Sequence, residues 1–306
     1  MLRTVLLLLL TLLLVPLSVL YFDVPLTDLQ NTALHTLLTV WAIAVTWCFV
    51  TGELTNNVSQ VDKLWSIMPV IYVWIMAYYG GWQLRFLAMA ILVTIWGIRL
   101  SYNFWRRGGY SLIPWKGTED YRWEILRSRA PLNKRLAWTL FHLFFITLYQ
   151  QSLILLFCQP MLLALENPDG PLQWYEVLPL ACMLGFIILE TVADQQQYNF
   201  QTEKYRRLAD KKDPGPYATG FVDTGLWSLC RHPNYAAEQL VWVSFYFCSV
   251  AATGRLLNWS VSGCILLMLL FLGSSDFSEK ISASKYPGYA GYMASKPRFW
   301  PAFVKK

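Results

Sequence analysis

Eight apolar windows constrain this chain more than any other feature: residues 4–22, 32–50, 64–80, 84–102, 136–158, 175–193, 236–252 and 259–274. At 16 to 23 residues, each is close to the roughly 17 to 20 that a helix needs to cross a bilayer's hydrocarbon core. A lipid-facing segment must satisfy its own N–H and C=O groups, so these windows predict helices. With 56% hydrophobic and only 14% charged residues over 306 positions, the composition excludes an ordinary soluble domain. The expected fold is all-α: a polytopic integral membrane bundle of about eight transmembrane helices in one domain, 1–306. Within it, 1–60 would supply N-terminal helices, 61–135 the substrate and catalytic helices with a basic loop, and 136–306 the cofactor-binding helices and tail.

The first window reads as an uncleaved signal anchor, because its apolar run is about 18 residues and Leu17-Ser-Val-Leu20 lacks an A-x-A-like cleavage site. Pro69 belongs in the first turns of the third helix, where its missing N–H is tolerated. Placing Arg3 in the cytoplasm puts 51–63, 103–135, 194–235 and 275–306 inside, with both termini cytoplasmic. Segment 103–135 then carries Arg106, Arg107, Lys116, Arg122, Arg127, Arg129, Lys134 and Arg135, and 275–306 carries Lys280, Lys285, Lys296, Arg298, Lys305 and Lys306. Outside, 159–174 has Glu166 and Asp169 and no basic residue, and only Arg85 and Arg255 fall near that side. This bias fits the positive-inside rule; anionic lipid headgroups are the plain partners for most of these cations.

Four polar stretches stand out on the expected cytoplasmic side. The first is Glu53–Lys63, where Asp62 leads into the third helix, as a helix-capping residue would. The second runs from Trp96 through Arg99, Tyr102 and Arg107 to Tyr110; Arg99 alone also fits snorkelling to the interface. The third is Glu190–Gln201, in which Glu190, Asp194, Gln197 and Gln201 share one helical face and require donors opposite. The fourth is the tail Glu279–Pro301, with Tyr286, Tyr289 and Tyr292 spaced by three, a spacing an interfacial aromatic belt also explains. Between the third and fourth lies Gly225-Leu-Trp-Ser-Leu-Cys-Arg-His-Pro-Asn-Tyr-Ala-Ala-Glu238, a charged cassette against an apolar run, where ionisable groups need partners.

Much chemistry has no foothold. His35, His142 and His232 are the only histidines, none at metal-ligand spacing, so no metal is expected. Cys48, Cys158, Cys182, Cys230, Cys248 and Cys264 occur singly and read as packing residues. GxSxG, Walker and GxGxxG motifs are missing, and nothing points to nucleic acid.

Asp62-Lys-Leu-Trp65, Trp96-Gly-x-Arg99-Leu, Glu190-x-x-x-Asp194, Arg231-His-Pro-Asn-Tyr-x-x-Glu238 and Lys285-Tyr-Pro-x-Tyr-x-x-Tyr292 together resemble the steroid 5-alpha-reductase C-terminal-domain family. The likeness runs from about Asp62 to the end and is closer to that family's membrane branch in bacteria and eukaryotes. It implies an all-helical membrane reductase that binds NADPH from the cytoplasmic side and reduces a carbon–carbon double bond conjugated to a carbonyl. Asp62 falls near the family's catalytic acid and Trp96 on its catalytic tyrosine, leaving Tyr102 as the nearby phenol. Asn234 would hydrogen-bond the cofactor, Glu190 and Asp194 would face ribose or amide groups, and Arg107, Arg231 and His232 would lie near phosphates. Gln201 stands where the family often has a basic residue; Arg99, Gln197, Tyr235, Glu238, Glu279, Tyr286 and Tyr292 complete the implied cofactor set.

The substrate implied is lipophilic and enters from the bilayer: a sterol, polyprenoid, fatty enoyl or quinone-like lipid. Isoprenylcysteine and phospholipid methyltransferases carry a similar Arg-His-Pro-x-Tyr and tail, which makes S-adenosylmethionine the alternative cofactor. A membrane protein that keeps the fold to bind lipid or cofactor without catalysis is the third reading. The oligomeric state is not legible.

Overall fold

The computed structural model describes residues 2–111, 113 and 117–300. Lys116, Lys305 and Lys306 of the basic segments, and the side chain of Arg3, lie outside the described residues. The described residues form helices and no strand: α1 (Leu2–Phe22), α2 (Asp28–Thr55), α3 (Gln60–Trp65), α4 (Met68–Tyr79), α5 (Leu84–Trp105), α6 (Tyr121–Arg127), α7 (Arg135–Phe141), α8 (Gln150–Ala164), α9 (Val177–Ala209), α10 (Pro233–Thr253), α11 (Val261–Lys285) and α12 (Tyr289–Ser295). A π-helical segment, His142–Tyr149, joins α7 to α8.

Each of the eight apolar windows coincides with helix, but they are not equivalent. Among the described residues five helical stretches are long and apolar enough to cross a membrane: Asp28–Thr55, Leu84–Trp105, Arg135–Ala164, Trp174–Ala209 and Val261–Lys285. The first window supplies a shorter apolar stretch, Leu8–Val19. The third window is broken rather than continuous. Six residues of α3 are followed by Ser66-Ile67 and then by the 12 residues of α4, with Pro69 at its first turn. At 1.5 Å per residue, α4 spans about 18 Å, well short of the hydrocarbon core. Gly97 of α5 permits the break, since a Cβ there would lie 2.7 Å from the Ser66 carbonyl oxygen.

The chain divides into two compact units. Unit 1 comprises Met1–Ala181 and Ser244–Leu267. Its helix α2 begins with a Thr27/Gln30 capping box, and the Gln30 amide also reaches the Leu162 carbonyl of α8 at 3.1 Å. The buried face of α2 repeats small residues at Ala44, Cys48 and Gly52, which lets the His142 ring lie where a Cβ of residue 52 would be. Outward faces are apolar: Ile91, Ile95, Ile98, Tyr102 and Trp105 form an exposed stripe on α5, as expected where lipid replaces water.

Segments expected on one side of the membrane gather together in unit 1. Arg255 pairs with Glu166 (2.6 Å) and Asp23 (3.4 Å), while buried Arg85 pairs with Glu176 and donates to the Asn167 carbonyl. The two cations that ran against the charge bias are thus neutralised by acids of neighbouring segments. At the opposite ends of the helices, Asn57 donates to the Gly117 carbonyl (3.0 Å), the Val58 N–H to Glu119 (2.9 Å) and the Asp120 N–H to Ser59 (2.9 Å).

Unit 2 comprises Cys182–Val243 and Met268–Lys306. The turn Gly225–Ser228 is seated on α9 by two bonds: Gln196 accepts from the Leu226 N–H at 3.0 Å and Trp227 donates its indole N–H to the Ala193 carbonyl at 3.1 Å. Gly225, at φ +60°, is where the Gln196 amide presses on the turn; a Cβ would meet it at 2.7 Å. All six cysteines are free thiols, and only Cys182 is exposed.

Candidate functional site

In unit 2, α9 turns one face inward from Met183 through Ile187, Glu190 and Asp194 to Lys204, all of them buried, with Gln197 and Gln201 partly buried between. The apolar half of that face ends at Ile187 and the polar half begins one turn later. Asp194 accepts a hydrogen bond from Asn234 Nδ2 at 3.1 Å, and the Asn234 carbonyl oxygen accepts from the Tyr235 N–H at 3.0 Å. Gln197 Oε1 is buried without a hydrogen-bond partner. One turn into α10, Glu238 is buried and accepts from the Trp242 indole at 2.9 Å. The structure therefore brings Glu190, Asp194, Gln197, Asn234 and Glu238 into one unit on two helices.

Lys204 extends the same stripe and was not singled out in the sequence. It follows Gln201 by three residues, so the 190/194/197/201 spacing already pointed to it. Its Nζ donates to the Gly220 carbonyl at 2.9 Å and to the Tyr286 hydroxyl at 3.3 Å, and lies 4.6 Å from the Tyr205 ring centre. These partners are all neutral. Its neighbours Arg206 and Arg207 instead share Glu203 on the exposed side of the helix.

Arg231, His232 and Glu279 form a separate, internally satisfied group. Arg231 makes two bonds to the Glu279 carboxylate, the shorter 2.7 Å, and donates to the Met293 and Lys296 carbonyls. His232 Nε2 sits 2.9 Å from the same carboxylate, and its ring stacks on Tyr235. Backbone bonds from Arg231 and His232 to Pro297 and Arg298 carry the tail alongside the cassette. Four of the five guanidinium donors are engaged; Arg231, expected near a phosphate, here ties α11 and the tail to the cassette. Tyr292 has a similar duty, donating to the Trp227 and Cys230 carbonyls. Tyr286, Tyr289 and Tyr292 pack with Phe221 rather than forming an outward belt. Burial raises the Tyr289 hydroxyl to about 12.

The residues expected to act on substrate, together with Arg99 and Arg107, belong to unit 1. Asp62 accepts from the Trp123 indole at 3.0 Å. Burial, with the Asp120 charge next, raises its carboxyl above the usual range, while burial lowers the Lys63 ammonium. Trp96 is fully buried and Arg99 nearly so, whereas Arg107 is exposed. Tyr102 is 54% exposed, on the outer stripe of α5. Six residues rotate it about 240° from Trp96, so it faces away from the buried side that holds Trp96. The phenol beside Asp62's helix is Tyr110, which donates to the Lys63 carbonyl at 2.8 Å and lies 3.1 Å from the Ser66 hydroxyl. No group of three metal-ligating side chains occurs among the described residues.

Residues 48–296 match the family described as protein of unknown function (DUF1295). The chain is 35% identical over 277 residues to the uncharacterized protein C594.04c of Schizosaccharomyces pombe, covering 86% of this chain and 75% of that one. No solved structure matches it.

Proposed function

The chain belongs to the DUF1295 family, of the steroid 5-alpha-reductase-like group, and from that premise we propose that it is an NADPH-dependent membrane reductase of a lipid's conjugated carbon–carbon double bond. In this reading the chain crosses the membrane about eight times and unit 2 holds the dinucleotide on the cytoplasmic side. The observation that carries it is the inward stripe of α9, where carboxylate, amide and ammonium groups follow one another from Glu190 to Lys204 and Asp194 is fixed by Asn234.

The donor set suits such a cofactor. The Gln197 Oε1, buried and lacking a partner, is an acceptor for a ribose hydroxyl or a carboxamide N–H. Asp194, held by Asn234, offers a second acceptor. Lys204, whose partners are neutral, supplies a cation for a phosphate. NADPH supplies a hydride when bound. Asp62, kept protonated to higher pH by burial, is suited to hydrogen-bond or protonate a substrate oxygen.

Fluorescence titration of the purified protein with NADPH, NADH and S-adenosylmethionine tests this directly. Saturable NADPH binding that weakens in Asp194→Ala and Asn234→Ala supports the reading. Binding of S-adenosylmethionine instead replaces it with a methyltransferase.

A further inference from the structure

The π-helical segment and the first turn of α8 direct polar side chains into the interior of unit 1. Thr147, Tyr149 and Gln151 are all fully buried. The Thr147 hydroxyl, the Tyr149 hydroxyl and Gln151 Oε1 lack hydrogen-bond partners. Gln151 Nε2 reaches only the Cys48 thiol of α2, at 3.6 Å. A π turn breaks the regular i,i+4 ladder and recurs at functional positions in helices.

A facing helix brings a matching group. Tyr72 of α4 is fully buried and its hydroxyl also has no partner. Thr147, Gln151 and Cys158 share one face of the π/α8 rod, at spacings of four and seven. Helices α2, α4 and α8 pack on one another in all three pairs. Buried polar groups surrounded by hydrocarbon are kept where something satisfies them.

We propose that Tyr72, Thr147 and Gln151 form an intramembrane site for the oxygen-bearing end of a lipid, a hydroxyl or carbonyl on an otherwise apolar body. Tyr72 and Thr147 donate to that oxygen, and Gln151 Oε1 accepts from it when it is a hydroxyl. Val73, Met76, Leu153 and Ile154, fully buried on the same helices, match the apolar remainder. The site deepens the reductase reading by naming the end of the substrate that unit 1 grips, and it makes Tyr72 the phenol that faces the substrate.

Photolabelling of the full-length protein in detergent, without dinucleotide, tests it. The probes are a long-chain enone, the corresponding alcohol and the hydrocarbon of equal length, each carrying a diazirine. The enone and alcohol are expected to label peptides of α4 and α8, and the hydrocarbon is not. Tyr72→Phe and Gln151→Leu, alone and together, are expected to reduce labelling at least about tenfold in the double variant, while melting temperature shows each variant folded. Equal labelling by the hydrocarbon, or undiminished labelling of a folded variant, overturns the site. So does a folded wild type that no probe labels. NADPH titration of the same samples separates the two ideas: labelling without NADPH binding removes the reductase reading and keeps the site, and the converse removes the site alone.

Discussion

Asn234 of the cassette donates its side-chain amide to Asp194 of α9 at 3.1 Å, joining the two polar stretches that sequence had shown 40 residues apart. Replacing Asn234 by Asp puts two carboxylates in contact, and one of them must take up a proton. Asn234→Asp is expected to lose about 1–3 kcal/mol of stability near neutral pH, recovered as pH falls and the pair takes up its proton. Urea denaturation at pH 7.5 and pH 5 measures it.

The Arg231–Glu279 pair is buried and joins α11 to the cassette. Removing one partner strands the other charge, a loss of about 3–5 kcal/mol in buried pairs. Glu279→Gln is expected to lower the melting temperature markedly, and Glu279→Asp less so. Differential scanning fluorimetry reads both.

Asp62 carries a pH signature with a definite sign. Its folded carboxyl titrates above the unfolded one, so between the two the native state holds the extra proton. Stability from this group is full at acid pH and is lost as pH rises through the folded value. Wild type is therefore expected to lose stability relative to Asp62→Asn over that rise. Parallel melting curves from pH 4 to pH 8 check it.

Lys204 is expected to set the preference for NADPH over NADH. Loss of one charge-assisted contact to the 2′-phosphate corresponds to about 1.4 kcal/mol, or tenfold. Lys204→Gln should weaken NADPH binding by about that factor and leave NADH unchanged. Titration of both nucleotides gives the ratio.

Tyr102→Phe serves as a control. The side chain is exposed on the outer stripe of α5, so neither NADPH affinity nor melting temperature should move.

Helix positions were legible because lipid imposes one rule on every apolar window, and the i,i+4 face of Glu190, Asp194 and Gln197 follows from helical geometry alone. The break at Ser66-Ile67 was not, since it depends on Gly97 making room on another helix. Arg231 looked free in sequence because its partners, Glu279 and two tail carbonyls, lie 48 to 65 positions away. Tyr102 was placed by proximity along the chain, whereas its direction is set by rotation about α5. Tyr72, Thr147 and Gln151 hid within apolar windows, where a single polar letter carries no periodic signal.

The most direct measurement of the central claim is the dissociation constant of NADPH for the purified wild-type protein and for Asp194→Ala. A saturable constant at micromolar or tighter, weakened at least about tenfold in the variant while S-adenosylmethionine fails to bind, is the result predicted. Absence of saturable NADPH binding in folded wild type, or equal affinity in the variant, would contradict it.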